Sequence, residues 1–189
     1  MRSGNIQRPG NKRMKDLILI ALESEAPTMA RWDNVFFTGV GKINAALTAA
    51  RLIEKHNPQT VWNFGTAGGI KLTSGCHEMV NFVERDKGKC PEAIELFLPK
   101  DPITISLGVG YTCSTGDNFV TDPDLEYPAH VVDMEAFAIA KACSNRKVNF
   151  KCYKYVSDSA DDSADTTWLE NVAKGEEHYI KIYKAQTDG

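Results

Sequence analysis

Short, nearly pure apolar runs alternate along this chain with longer segments of helical period. Residues 16–22 are continuously apolar after Asp16, as a strand buried on both faces requires. Residues 35–38 predict a second short strand and 60–64 a third. Between them, residues 43–54 repeat apolar positions at helical spacing, with small residues suited to packing on a sheet, and Pro58 stops the pattern. Further strands are read at 78–83, 103–107 and 149–156, and residues 92–97 as a short strand or helix. Residues 131–142 start as an apolar pair that finishes a strand, place two acids around Met134, and run into an Ala-rich helical pattern. A closing helix is read over 167–185, with apolar Leu169, Val172, Ala173, Ile180 and Ile182; Gly175 weakens its continuity. Strands alternating with helices predict an α/β fold in one domain over residues 15–189. Residues 1–14 are polar and basic, lack the apolar core of a secretory signal, and read as a disordered leader.

Composition narrows the classes. Apolar content of 42% and charged content of 25% are those of an ordinary globular domain. A net charge of −3, with no basic run interleaved with aromatics, offers nothing to nucleic acid. No stretch approaches the roughly 18 apolar residues that span a membrane. The five cysteines are scattered and form no C-x-x-C pair, which argues against a disulfide framework or a zinc site. They read as buried thiols in a reducing cytoplasm. The four histidines show no metal-ligand spacing. The expectation is a cytoplasmic protein with no cofactor, no metal, and neither nucleic acid nor membrane as partner.

Three carboxylates change the picture. Glu25, Glu135 and Asp158 each follow a predicted strand, and open α/β sheets bind ligands beyond the C-terminal ends of their strands. Each one alone reads more simply as an acid at a helix start or cap. Repeated at three strand ends, the arrangement points to acid–base chemistry on a small polar ligand without a metal. The turn Gly65-Thr66-Ala67-Gly68-Gly69 has no bulky side chain, so a ligand can approach its backbone; the alternative is a tight loop beside a helix. Gly39-Val40-Gly41-Lys42 opens a helix but lacks the spacing and the Ser/Thr of a P-loop, which leaves a tight turn. Phe119 is either core or a stacking platform for a flat ligand.

Six blocks, in order, carry a resemblance: Ala21-Leu22-Glu23-Ser24-Glu25, Gly39-Val40-Gly41-Lys42-Ile43-Asn44-Ala45-Ala46, Asn63-Phe64-Gly65-Thr66-Ala67-Gly68-Gly69, Ser114-Thr115-Gly116-Asp117-Asn118-Phe119, Val132-Asp133-Met134-Glu135-Ala136 and Val156-Ser157-Asp158-Ser159-Ala160-Asp161. The chain resembles the nucleoside phosphorylase/nucleosidase superfamily, and most closely its 5′-methylthioadenosine/S-adenosylhomocysteine nucleosidase branch. The resemblance implies a three-layer αβα sandwich around a central mixed, twisted sheet, here shortened around residues 27–35, 85–105 and 121–130. It implies that Asp158 protonates or hydrogen-bonds purine N7 and that Glu25 activates the water that attacks C1′. Glu135 would hold ribose hydroxyls, with Met134 against the sugar face. Thr66 would line the water or phosphate pocket, Phe119 would stack on the base, and the Val120 backbone would read it. Gly68 and Asp133 complete the substrate-binding set, Asp133 also standing where it can cap the following helix.

Phosphorylases of the superfamily place Gly and Arg after the first strand, whereas this chain has Glu23 and Glu25, which repel phosphate and favour water. An aspartate rather than an asparagine at 158 favours a 6-amino purine. The implied function is a purine nucleosidase of methionine salvage that hydrolyses the N-glycosidic bond of an adenine nucleoside, such as 5′-methylthioadenosine or S-adenosylhomocysteine, in a homodimer. The alternatives are a purine nucleoside phosphorylase and a non-catalytic nucleoside-binding member of the fold.

Overall fold

The computed structural model describes residues 14–86, 104–118, 120, 129–160 and 164–188. The expected leader up to residue 13, the segment 92–97, Phe119 and Cys90 lie outside the described residues.

Strand β1 (Asp16–Ile20) is buried along its whole length, as its unbroken apolar run requires. Strands β2 (Val35–Phe37) and β3 (Thr60–Gly69) lie parallel to it on either side, and helix α1 (Lys42–His56) links the two. There follow β4 (Cys76–Glu84), β5 (Thr104–Ser106), β6 (Tyr111–Thr115), β7 (Val131–Asp133), α2 (Ala136–Arg146), β8 (Asn149–Asp158), α3 (Ala164–Asn171) and α4 (Glu176–Thr187). Two single-turn 3₁₀ segments, Glu23–Glu25 and Met29–Arg31, connect β1 to β2.

The expected mixed α/β arrangement is present, but the sheet closes on itself. β3 pairs parallel with β8, β8 antiparallel with β4, β4 parallel with β6, β6 parallel with β7, and β7 antiparallel with β3. β1 and β2 extend outward from β3, and β5 borders β4. Closure depends on which distant strands pair, and no local pattern encodes that.

Alternation along β1 and β3 sends side chains to two cores. Leu17, Leu19 and Val61 meet Ala45, Ala49, Leu52 and Ile53 of α1 and Ile139 and Cys143 of α2. Ile18, Ile20, Trp62 and Phe64 face the other way, onto Met29 and onto Tyr179 of α4. A third cluster, including Phe82, Cys113, Val131 and Cys152, joins the ring to Phe137 of α2. Cys113, Cys143 and Cys152 are buried free thiols and Cys76 is half-buried; burial pushes the Cys76 and Cys143 thiols up to about 12.

Three differences from the sequence reading bear on the site. Residues 65–69, expected as a turn, continue β3. Both edges of that segment are taken: Gly65 and Thr66 pair with Lys154 and Tyr155, and Gly68 and Gly69 with Val132 and Val131. The glycines there serve close packing, since a Cβ on Gly69 would stand 2.1 Å from the Leu72 carbonyl oxygen. Strand β8 runs two residues further than expected, so Asp158 ends the strand instead of following it. The closing helix divides into α3 and α4 at Gly175, where a Cβ would meet the Tyr179 hydroxyl at 2.3 Å. Leu169, expected on the apolar face, is exposed. Among the described residues, no helix is long and apolar enough to cross a membrane, and no group of three or more His, Cys, Asp or Glu side chains could hold a metal ion.

Inside the strand ring lies an ion pair. Lys154 Nζ stands 2.8 Å from Asp133 Oδ2, with both side chains 1% exposed. Lys154 is registered opposite Gly65, and a Cβ at Gly65 would come within 3.3 Å of the ammonium. Replacing Lys154 by Met leaves Asp133 buried without a counter-charge. We expect a loss of about 3–5 kcal/mol, the usual range for stripping one partner from a buried pair. Urea unfolding measures it, and a loss under about 1 kcal/mol, the size of an ordinary substitution effect, would contradict it.

Candidate active site

Beyond the C-terminal ends of β1, β3 and β8 the chain encloses a cleft with about 130 Å³ open to water-sized molecules. Glu25, Thr66, Gly68, Val120, Asp133, Met134, Glu135 and Asp158 all line it. Every described residue expected at the site is thus brought to one cavity, while Phe119 lies outside the described residues.

Glu25 arrives through the 3₁₀ turn after β1. Leu22 is extended, and the turn folds the Glu25 carboxylate back so that Oε2 accepts the Leu22 N–H at 3.0 Å. Oε1 accepts both the backbone N–H and the hydroxyl of Thr66, each at 2.8 Å. Glu25 is 3% exposed, so these three donors take the place of water at its carboxylate oxygens.

Asp158 is held by the strand end itself. Its Oδ2 accepts the Ser157 hydroxyl at 2.8 Å and its Oδ1 the Ala160 N–H at 3.0 Å. The small residue at 68 makes room for it, since a Cβ on Gly68 would stand 2.8 Å from Asp158 Oδ1. Val120, Val132 and Ala160 form an apolar wall beside it.

Glu135 sits where β7 turns into α2. Its Oε1 accepts the Gly41 N–H at 2.8 Å, at the start of α1. The Gly-rich turn before α1 therefore does bind anions, and they are the protein's own: Lys42 N–H donates to Asp117 Oδ1 at 2.7 Å. Gly41 can do this because its φ of 94° lies in the left-handed region. Burial, and after it the charge of Asp133, push the Glu135 carboxyl up to about 7, against the pull of Lys154 and the Gly41 N–H. Asp133 behaves oppositely. Burial pushes it up, but the Lys154 ammonium, Thr115 and the Ala136 N–H together hold it below its ordinary value. Both its oxygens are engaged: Oδ1 accepts the Thr115 hydroxyl at 2.6 Å, and Oδ2 takes Lys154 and the Ala136 N–H at 2.8 Å. Asp133 thus caps α2, the second of the two roles expected of it.

Three residues escaped the sequence reading: Arg85 and Trp168, which line the cleft, and Lys154, which pairs with Asp133 of its lining. Lys154 had a signal, because it alternates with Cys152 and Val156 on one face of a strand and so had to be buried and paired. Arg85, just past β4, clamps four carbonyls: Nη1 donates to Ser114 and Asp133, and Nη2 to Gly116 and Asn118. It thereby ties the turn after β6 to β7. Trp168 of α3 lines the cleft and donates its indole N–H to Thr66 Oγ1 at 2.9 Å. Neither had a local signature, since their partners lie far away in sequence.

The displaced Glu135 carboxyl has a measurable consequence. Below its ordinary value of 4.5 it is protonated in both folded and unfolded chains. From there to about 7 the folded chain keeps a proton that the unfolded chain has lost, so its contribution to stability falls as pH rises. The fall is about 1.4 kcal/mol per pH unit at most. Glu135→Gln abolishes this titration. The stability of the variant relative to wild type should rise between those two pH values by on the order of 3 kcal/mol in total. A flat difference in urea unfolding across that window would contradict the placement of Glu135.

With this geometry in hand, known proteins can be compared. A family model described as the phosphorylase superfamily matches residues 34–80, from the end of the loop before β2 into β4. A 5′-methylthioadenosine/S-adenosylhomocysteine nucleosidase of Staphylococcus epidermidis is 30% identical over 168 residues, covering 72% of this chain and 73% of that protein. The nucleosidase of that name from Shewanella piezotolerans is 28% identical over 173 residues, covering 75% and 74%. Among solved structures, the Helicobacter pylori nucleosidase of that name, in complex with a substituted pyrrolidinol, has a TM-score of 0.78 at 19% identity, over 94% of this chain and 99% of that one. A mutant futalosine hydrolase from Helicobacter pylori has a TM-score of 0.78 at 19% identity, over 93% and 99%. At such identities the structures speak for the fold, while the sequence matches carry the relationship: the chain belongs to the phosphorylase superfamily, in its 5′-methylthioadenosine/S-adenosylhomocysteine nucleosidase family.

Proposed function

We propose that this protein hydrolyses the N-glycosidic bond of an adenine nucleoside, 5′-methylthioadenosine, S-adenosylhomocysteine or a relative, to free base and sugar. The observation that carries this reading is the meeting of Glu25, Glu135 and Asp158, from three separate strand ends, in one buried cleft. The family relationship supports the choice of substrate. The same reading takes residues 15–189 as one domain and the helices on the two faces of the sheet as the outer layers of a shortened αβα sandwich. It has the protein work in the cytoplasm as a homodimer.

In this mechanism the bond from C1′ to the purine breaks and its electron pair leaves with the base. Asp158 supplies a proton, or a hydrogen bond, to N7 and so stabilises the departing base. A water molecule attacks C1′ and gives its proton to Glu25. Oε1 of Glu25 already holds two donors, which leaves Oε2 as the accepting oxygen. Glu135 accepts hydrogen bonds from ribose hydroxyls, and its ionised form stabilises the positive charge that develops on the sugar ring. Met134 packs against the sugar face, and the base lies beside Asp158 against Val120; the family resemblance gives Phe119 as its stacking partner. Water is the nucleophile because a buried carboxylate at position 25 repels phosphate.

The test is to incubate the protein with 5′-methylthioadenosine, adenosine and inosine, with and without phosphate, and to follow free base. Adenine should appear without phosphate. Glu25→Gln and Asp158→Asn should each slow release by about 10²–10⁴-fold, the usual worth of a general acid or base. Release only with phosphate would overturn the role of Glu25, and no release from any of the three would favour a binding protein.

A further inference from the structure

Helix α3 sends two hydrogen-bonding side chains from one face to residues that line the cleft. Trp168 and Asn171 are three residues apart, the spacing that puts side chains side by side on a helix. The Trp168 indole N–H donates to Thr66 Oγ1 at 2.9 Å, and Thr66 Oγ1 lies 2.8 Å from Glu25 Oε1. An indole N–H only donates. The Thr66 oxygen must therefore accept from Trp168, and its single hydrogen is left for Glu25. Asn171 Nδ2 donates to the Ser157 carbonyl at 2.7 Å. Ser157 precedes Asp158, and its hydroxyl bonds the Asp158 carboxylate at 2.8 Å.

We infer that α3 is a brace that aligns both acids of the reaction: Trp168 fixes the Glu25 carboxylate through the Thr66 hydroxyl, and Asn171 fixes the strand end from which Asp158 projects. This rests on the roles proposed above for Glu25 and Asp158. Trp168 and Asn171 are positioning residues. Trp168 determines the direction of the Thr66 O–H bond, and without that donor the hydroxyl rotates and Glu25 loses one of its three supports. The proton taken from water then has no preferred oxygen. The Trp168 ring also lines the cleft, so its packing has to be separated from its N–H. Phenylalanine makes that separation, because it keeps an aromatic ring and removes the donor.

The experiment is steady-state hydrolysis of 5′-methylthioadenosine by wild type, Trp168→Phe, Thr66→Val, the double variant and Asn171→Leu, each checked for folding by circular dichroism. Trp168→Phe should lower kcat about tenfold with little change in KM, the loss of one oriented hydrogen bond. Thr66→Val should lower kcat as well, and adding Trp168→Phe to it should cost nothing more, because the relay is already broken. Asn171→Leu should lower kcat several-fold. An active wild type with an equally active Trp168→Phe, losses that multiply in the double variant, or a rise in KM at constant kcat would each overturn the brace while leaving the nucleosidase reading in place. A wild type that releases no base overturns both.

Discussion

A lysine ammonium sealed inside a closed ring of strands is tolerable only with a carboxylate against it, and the site is assembled around that constraint. Asp133 meets Lys154 at the end of β7 and in the same place accepts the first N–H of α2 and the Thr115 hydroxyl. Thr115 in turn accepts the Phe137 N–H at 3.0 Å. One pair thus fixes β6, β7, β8 and the start of α2 relative to one another. Stripping either charge exposes the other to the full desolvation penalty. Glu135 is two residues beyond Asp133, so the pair also decides where that carboxylate points.

The same pair divides the protons. Asp133 and Glu135 are both buried and close to one cation, and they cannot be treated alike by it. Asp133, in contact with the ammonium, stays ionised. Glu135, farther from the ammonium and facing the charge of Asp133, is pushed up towards neutrality at physiological pH. Neighbouring carboxyls with diverging proton affinities are the usual ground for assigning separate roles in acid–base chemistry. The cleft also holds its two proposed catalytic acids differently: Glu25 takes three donors, two of them from Thr66, while Asp158 sits beside an apolar wall and takes its donors from Ser157 and Ala160.

Much of this was legible locally. The run at Leu17–Ile20 announced a strand buried on both faces, and the small residues of α1 announced a helix laid closely on a sheet. The three acids were found because each stands at the end of an apolar run, where strand polarity alone points a side chain towards the ligand side of the sheet. The glycines at 65–69 were recognised as a place of close approach but misread as a turn. Local composition says that no side chain fits, and it does not say whether a ligand, a backbone or a neighbouring carboxylate needs the space. Here Gly65 clears room for Lys154, Gly68 for Asp158, and Gly69 for the Leu72 carbonyl.

The alternation of elements, the positions of the acids and the kinship that their order implies depend on periodicity and on residues adjacent in the chain, so they can be read along it. The closing of the strands into a ring, the place of Lys154 inside it, the Arg85 clamp on the turn after β6 and the reach of Trp168 to Thr66 arise only in the folded chain. Each of those contacts joins residues from about 20 to about 100 positions apart. Their geometry is set by strand pairing and helix packing, and long-range pairing leaves no trace in the local pattern of apolar and polar residues.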